Sequence, residues 1–355
     1  MTRSLAKPAQ RSELPGRYYT DPEIYAREFK TLWRHTWQWV GRVEELTNPG
    51  DYLTAILGEE PIFVIREADG NLRAMHNVCP HRGARLLTEA QGNCKKLQCP
   101  YHAWIFETDG SLRAVLHPQW FPDLDKSKIR LSPARVDTWG GFVFINPDPE
   151  GESLLEYLAG YPEYLSGWNH RFEDLREVNR TVYEDNVNWK FLVENYVEDY
   201  HFSVAHAKSL VPMFDVQNIR TVPTGRHIPI HVPYSEIPPT EPAQLRNWEK
   251  GTISYQGFIF PNMMINTGPD GASIWRVIPL GPERTRLETI NYQTPAHYAK
   301  MPYIHESWGQ VMEEDFAVVR LLQKGVNSRA YQVSQLAVEH ELGVAHFHKV
   351  LGEYL

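Results

Sequence analysis

At 355 residues, with a net charge of −8, 42% hydrophobic and 23% charged residues, the chain has the make-up of an ordinary globular protein long enough for two cored domains. The acidic balance gives a nucleic-acid partner little support, and neither secretion nor a membrane span is expected, because the opening MTRSLAKPAQRSELPG has no apolar core and no long apolar run follows. Three cysteines are too few for a disulfide framework and fit a reducing cytoplasm.

Taken in order, residues 17–40 begin with Thr20-Asp21-Pro22, a helix-start signal, and Tyr25, Phe29 and Trp33 then recur at helical spacing. They predict an amphipathic helix that packs on a later domain. Strand patterns follow over 52–57, 62–67 and 72–77, separated by turns at Gly58 and at Asp69-Gly70, and the third runs into Cys79-Pro80-His81-Arg82-Gly83. A second loop, Cys99-Pro100-Tyr101-His102-Ala103-Trp104, leads into short strands over 103–107 and 112–115. This reads as a small β-sandwich that presents both loops at one end. A Pro-rich passage and a buried strand over 140–146 close it, with a boundary near 150. Beyond lie a helix over 151–166, a strand from 178, a Pro-broken passage over 211–243, strands over 253–260, 262–267, 273–280 and 286–294, and a helical half from about 300 to 352. The expected class is α+β, divided into an N-terminal helical segment (1–40), a sandwich (41–150) and a sheet-and-helix domain (151–355).

Cys79-x-His81 and Cys99-x2-His102 each place one thiolate and one imidazole on a tight Pro-containing loop. Such a set could hold a structural zinc ion or a Rieske [2Fe–2S] cluster, in which the thiolates take one iron and the imidazoles the other. Zinc fingers group Cys with Cys and His with His, so the mixed order favours the cluster. Cys94, in the spacer, reads as a bystander. The motif CPHRG…CPYHAW resembles the Rieske domain of the large (alpha) subunits of Rieske-type non-haem iron oxygenases.

Residues 187–206 contain Glu194-Asn195-Tyr196, Glu198, Asp199, Tyr200-His201 and His206. On a regular helix His201 and His206 would point about 140° apart at ~100° per residue, so a shared metal requires a π-type turn or a helix break between them. Alone, two such histidines read as packing or surface residues. The whole string, however, is similar to the mononuclear-iron helix of the same oxygenase family. A further stretch, Met312-Glu313-Glu314-Asp315 through Gln323-Lys324-Gly325, resembles the family's acidic helix that supplies the third ligand, for which Asp315 is the first choice and Glu314 the second.

The resemblance implies a Rieske sandwich joined to a helix-grip, START-like catalytic domain, with a mononuclear Fe(II) held by His201, His206 and Asp315 in a 2-His-1-carboxylate triad that leaves positions open for dioxygen. It also implies a homotrimer in which the cluster of one subunit serves the iron of its neighbour through an acidic bridge. By position that bridge is Glu198, where much of the family has Asp; Asp199 is the competitor. The sequence has no GxGxxG and no second Cys set, so flavin, nicotinamide and further iron–sulfur chemistry are expected on a separate reductase. The opening segment, together with Phe260-Pro-Asn-Met-Met and the stretch 277–286, is similar to the branch acting on small quaternary ammonium compounds by hydroxylation or oxidative N-demethylation. Ring hydroxylation or O-demethylation of an aromatic acid is the alternative, and an electron carrier with a ligand-binding domain is the non-enzyme reading.

Overall fold

The computed structural model describes residues 10–11, 14–235, 252–268, 271–300, 306–332 and 335–355, which form two compact units. One is Phe29–Tyr157; the other combines the chain up to Glu28 with Leu158–Leu355. These units divide after residues 28 and 157, where the sequence leads one to expect boundaries at 40 and 150. The predicted single helix over 17–40 is instead a turn at Gly16–Tyr19, helix α1 (Pro22–Glu28), a π-helical turn at Phe29–Trp33 and a strand from Gln38. Asp21 starts α1 by accepting a hydrogen bond from the Glu23 amide at 2.8 Å.

In the first unit an antiparallel sheet orders its strands as Gln38–Arg42, Phe142–Asn146, Pro133–Trp139, Leu72–His76, Glu60–Arg66, Asp51–Leu57 and Gln91–Asn93. The Pro133–Trp139 strand, hidden behind Ser132-Pro133 in the sequence, pairs Trp139 with Phe142 around Gly140 and Gly141, both at positive φ. A smaller sheet of Leu97–Gln98, Ile105–Phe106 and Leu112–Ala114 carries the second Cys-His loop. Phe63, Ile65, Leu97, Phe106 and Leu131 fill the core beneath both loops.

The second unit is built on an antiparallel sheet ordered Arg176–Asp185, Arg284–Gln293, Gly271–Gly281, Met263–Gly268, Ile253–Ile259, Ile228–Pro233 and Arg220–Thr221. The first strand thus pairs with the last, which places the intervening chain, including the His201 region, against the sheet. Helices α2 (Trp189–Tyr196), α3 (Phe202–Ala205), α4 (Glu306–Val326) and α5 (Leu342–Gly352) pack there. Tyr196 of α2 meets Trp275 at 5.4 Å between ring centroids, and Phe316 of α4 meets Tyr183 at 5.5 Å, so both helices sit on the sheet. The helix expected over 151–166 is split at Gly160 into Leu154–Tyr157 and Tyr161–Leu165. Parts of the expected passage 211–243 and of the helical half from 300 lie outside the described residues. No helix among the described residues is long and apolar enough to cross a membrane.

Candidate metal centres

The two Cys-His loops are built on the same plan. Cys79 donates its amide to Ala84 O and accepts from Gly83 N, while Cys99 donates to Trp104 O and accepts from Ala103 N. Each loop closes through a left-handed residue, Gly83 at φ 77° and Ala103 at φ 54°. Cys79 and Cys99 are buried, and the His81 and His102 rings stand 4.7 Å apart, His81 stacked on Trp104 at 4.6 Å. The Nδ1 atoms of His81 and His102 are buried yet have no hydrogen-bond partner among the described residues. An orphaned buried nitrogen is costly unless something binds it, and two of them converging beside two thiols fit a metal cluster. Burial, His102 and Arg82 hold His81 below its usual pKa, which favours the neutral form that a ligand needs; burial pushes the Cys79 thiol up, with Cys99 beside it adding to the effect.

The second centre forms where a helix breaks. Asn188 starts α2, its side chain accepting from Lys190 N at 3.0 Å, and its own amide donates to Gln323 Oε1 at 2.7 Å, so the Gln-x-Gly of α4 anchors the beginning of α2. Lys190 forms a buried ion pair with Glu28 at 2.5 Å, and Trp189 donates to the same carboxylate. After Tyr196 the chain leaves the helix, and Glu198 accepts from the amides of Tyr200 and His201 to organise the turn. Gly343 of α5 permits the close approach that fixes this turn, since a Cβ there would lie 2.0 Å from Val197 O. His201 and His206 thus flank the single turn α3, with ring centroids 5.0 Å apart. The break that a shared metal requires is present.

Asp315 comes to both rings from α4. Its Oδ1 lies 2.9 Å from His206 Nε2 and 3.6 Å from His201 Nε2, and one ligand atom from each of the three residues lies within 4.8 Å of the others. Two imidazole nitrogens and one carboxylate oxygen at one point fit an octahedral ion with open positions. Glu198 sits at His201 Nδ1 at 2.5 Å, whereas Asp199 turns away to His340 Nδ1 at 2.6 Å. Glu314, the second choice for third ligand, lies on the far side of His206, at Nδ1. Burial opposes a charged His201, but Asp315 and Glu198 outweigh it and push its pKa up to about 9; His206 moves the same way through Asp315 and Glu314.

The three groups open into a cavity walled by Tyr196, Phe202, Phe214, Trp275, Trp308 and Phe316, with Asn195, Gln256 and Asn266 as neutral polar groups. Among the described residues no Lys or Arg lines it, and Asp315 is its one carboxylate. Apart from Asn195, Tyr196, Phe202 and Phe316, which stand within the recognised stretches, these residues carry no sequence signal. The sheet register that aims Trp275, and the α4 rotation that aims Trp308, are tertiary facts.

Residues 36–124 match the Rieske [2Fe-2S] domain, and residues 172–355 match the ring hydroxylating alpha subunit (catalytic domain). The chain is 32% identical to the carnitine monooxygenase oxygenase subunit of Escherichia coli, over 98% of this chain and 95% of that protein. It is 29% identical to the glycine betaine monooxygenase oxygenase subunit of Chromohalobacter salexigens, over 94% of this chain and 84% of that one. A solved quaternary ammonium Rieske monooxygenase, described with carnitine oxidation and inter-subunit electron transfer, superposes with a TM-score of 0.82 at 27% identity, over 98% of this chain and 96% of that one.

Proposed function

This chain belongs to the ring-hydroxylating alpha subunits of the Rieske non-haem iron oxygenases, and from that premise we propose that it hydroxylates or oxidatively N-demethylates a small quaternary ammonium compound. Its cofactors are a Rieske cluster and a mononuclear iron, so the zinc and electron-carrier readings fall away. In this reading Cys79, His81, Cys99 and His102 hold the cluster, and His201, His206 and Asp315 hold the iron. When bound, the iron supplies the oxygen-activating chemistry and the cluster its electrons. The protein's own part is to hold the triad on one face, keep the opposite side for dioxygen and substrate, and wall that side against water.

The cavity lining carries the substrate assignment. A methylated ammonium forms no hydrogen bonds through its methyl groups and is bound by aromatic faces, which Tyr196, Trp275 and Trp308 provide. The neutral amides of Asn195, Gln256 and Asn266 suit the remaining polar end. An aromatic acid has no methylated cation for these rings to hold, and no Lys or Arg among the described lining residues is placed to pair its carboxylate. The names of the carnitine and glycine betaine relatives point the same way.

The domain division follows the same roles, with the Rieske domain on the first unit and the iron on the second. Glu198 is the acidic bridge of a homotrimer, placed at His201 Nδ1 beside the exposed Tyr200 and Val204, while exposed Tyr101 and Arg82 flank His81 and His102. Electrons come from a separate flavin and iron–sulfur reductase in the cytoplasm. The test is NADH and oxygen consumption with such a reductase across choline, glycine betaine, carnitine and a set of benzoate-type acids. Coupled stimulation and formaldehyde or hydroxylated product from a quaternary amine support the reading, and stimulation by the aromatic acids alone removes it.

A further inference from the structure

His206 is clamped between two neighbouring carboxylates of one helix. Adjacent residues of a helix project about 100° apart, so a ring lodged between them can meet both. Asp315 Oδ1 lies 2.9 Å from its Nε2, and Glu314 Oε2 lies 2.8 Å from its Nδ1. Glu314 is itself pinned, accepting from the Ser209 hydroxyl on Oε2 and from Gln310 Nε2 on Oε1 at 2.8 Å. With a metal bound at Asp315, an acceptor held at Nδ1 keeps the single imidazole proton on that nitrogen and leaves Nε2 as the ligand atom.

From this geometry we infer that Glu314 is the positioning residue of the metal centre, fixing the tautomer and ring angle of His206 as Glu198 does for His201. The inference rests on the assignment of His206 and Asp315 as iron ligands. Without the Glu314 carboxylate the ring is free to turn and to carry its proton on the nitrogen that must bind metal, and the remaining neighbour, Ser209 Oγ, is 3.5 Å from Nδ1, too far to replace it. Because Glu314 and Asp315 are consecutive, the same helix turn that delivers the third ligand also orients the second, and the two cannot drift independently. A carboxylate behind a ligating histidine also raises its basicity, which strengthens the metal bond.

The test measures Fe(II) affinity by chelator competition on the full chain with its Rieske cluster in place, and the visible bands of Co(II) bound at the mononuclear site. Glu314→Ala should weaken Fe(II) binding about 10–100-fold and shift the Co(II) bands while the paramagnetic signal of the reduced cluster stays unchanged. Glu314→Gln keeps an acceptor without the charge, and it should recover part of the affinity. His206→Ala tests the assignment beneath: loss of Fe(II) binding supports it, and wild-type binding overturns it and the inference together. If His206→Ala loses the metal while Glu314→Ala and Glu314→Gln both keep wild-type affinity and bands, the ligands stand and the role of Glu314 is overturned. Should Glu314→Ala not fold, unshifted bands and unchanged affinity in Glu314→Gln overturn it alone.

Discussion

The imidazoles of His81 and His102 stand 4.7 Å apart and those of His201 and His206 5.0 Å apart, yet the two pairs live in opposite electrostatic surroundings. The first pair shares its pocket with thiols and Trp104, has no carboxylate at its Nδ1 atoms among the described residues, and holds His81 below its usual pKa. The second pair is ringed by Glu198, Glu314 and Asp315, and His201 is pushed up to about 9. Geometry alike in outline is therefore tuned for different jobs. Neutral imidazoles facing thiolates suit a site where every ligand position is filled, whereas an anionic cradle around two histidines binds a lone dication with three ligands and leaves the rest of its shell open. The supports differ too. Each Cys-His loop is closed by hydrogen bonds within a few residues, while the triad depends on α2, α4 and α5 converging from distant parts of the chain.

The largest effect should come from breaking one site and leaving the other. His201→Ala should abolish turnover and binding of the mononuclear iron while the visible and paramagnetic spectra of the cluster persist. Cys99→Ser should do the reverse to the spectra and equally stop turnover. A chelator that strips only the weaker-bound iron should mimic His201→Ala and be reversed by Fe(II). Loss of the cluster spectrum in His201→Ala would mean that the two sites are not built independently.

The support of α2 gives the next effect. Glu28 is fully buried and pairs with the equally buried Lys190, whose pKa is lowered by burial against the pull of Glu28. Removing one partner of such a pair costs about 3–5 kcal/mol, because an ion is left without compensation, while replacing both by apolar residues of like size costs far less. Glu28→Ala should therefore destabilise the second unit and lower iron retention, and Glu28→Met with Lys190→Met should restore much of both. The cluster's bleaching temperature should not follow. A smaller loss is expected for Gly343→Ala, whose Cβ would meet Val197 O at 2.0 Å and force α5 or the Glu198 turn to shift, at about 1–3 kcal/mol. Iron occupancy reads it directly, and unchanged occupancy with unchanged stability would show that this contact does not set the turn.

The same contrast explains what the sequence made legible. The Cys and His of each loop lie within a few residues of one another, so spacing and order alone point to the cluster, and the strands that carry the loops show in their alternation and Gly turns. His201 and His206 are legible only as part of a string, because a helix break is what brings them together and nothing local announces it. Resemblance singles out Asp315 over Glu314; what separates them physically is which side of His206 each one reaches, a matter of how α4 is rotated. The Pro133–Trp139 strand is illegible because Pro133 masks its start, and the π-helical turn at Phe29–Trp33 because its side chains keep helical spacing while the backbone changes.

The smallest effect isolates backbone strain in the cluster loops. Gly83 and Ala103 occupy the same place in the two loops, and both are left-handed, at φ 77° and 54°. A Cβ at Gly83 would meet no described residue within 4 Å, so Gly83→Ala removes no protein contact among the described residues and acts on the backbone conformation. The left-handed state costs a residue with a Cβ about 1–2 kcal/mol. The stiffer unfolded chain returns about 0.4–1 kcal/mol of that, and a net loss of about 1 kcal/mol is expected. Ala103→Gly runs the other way, relieving the strain while loosening the unfolded chain, for a gain of a few tenths to about 1 kcal/mol. The cluster's bleaching temperature should thus fall in one variant and hold or rise in the other, with iron at the triad unaffected in both. If both variants fall, Ala103 is doing something beyond closing its loop, and the equivalence of the two loops ends at their hydrogen bonds.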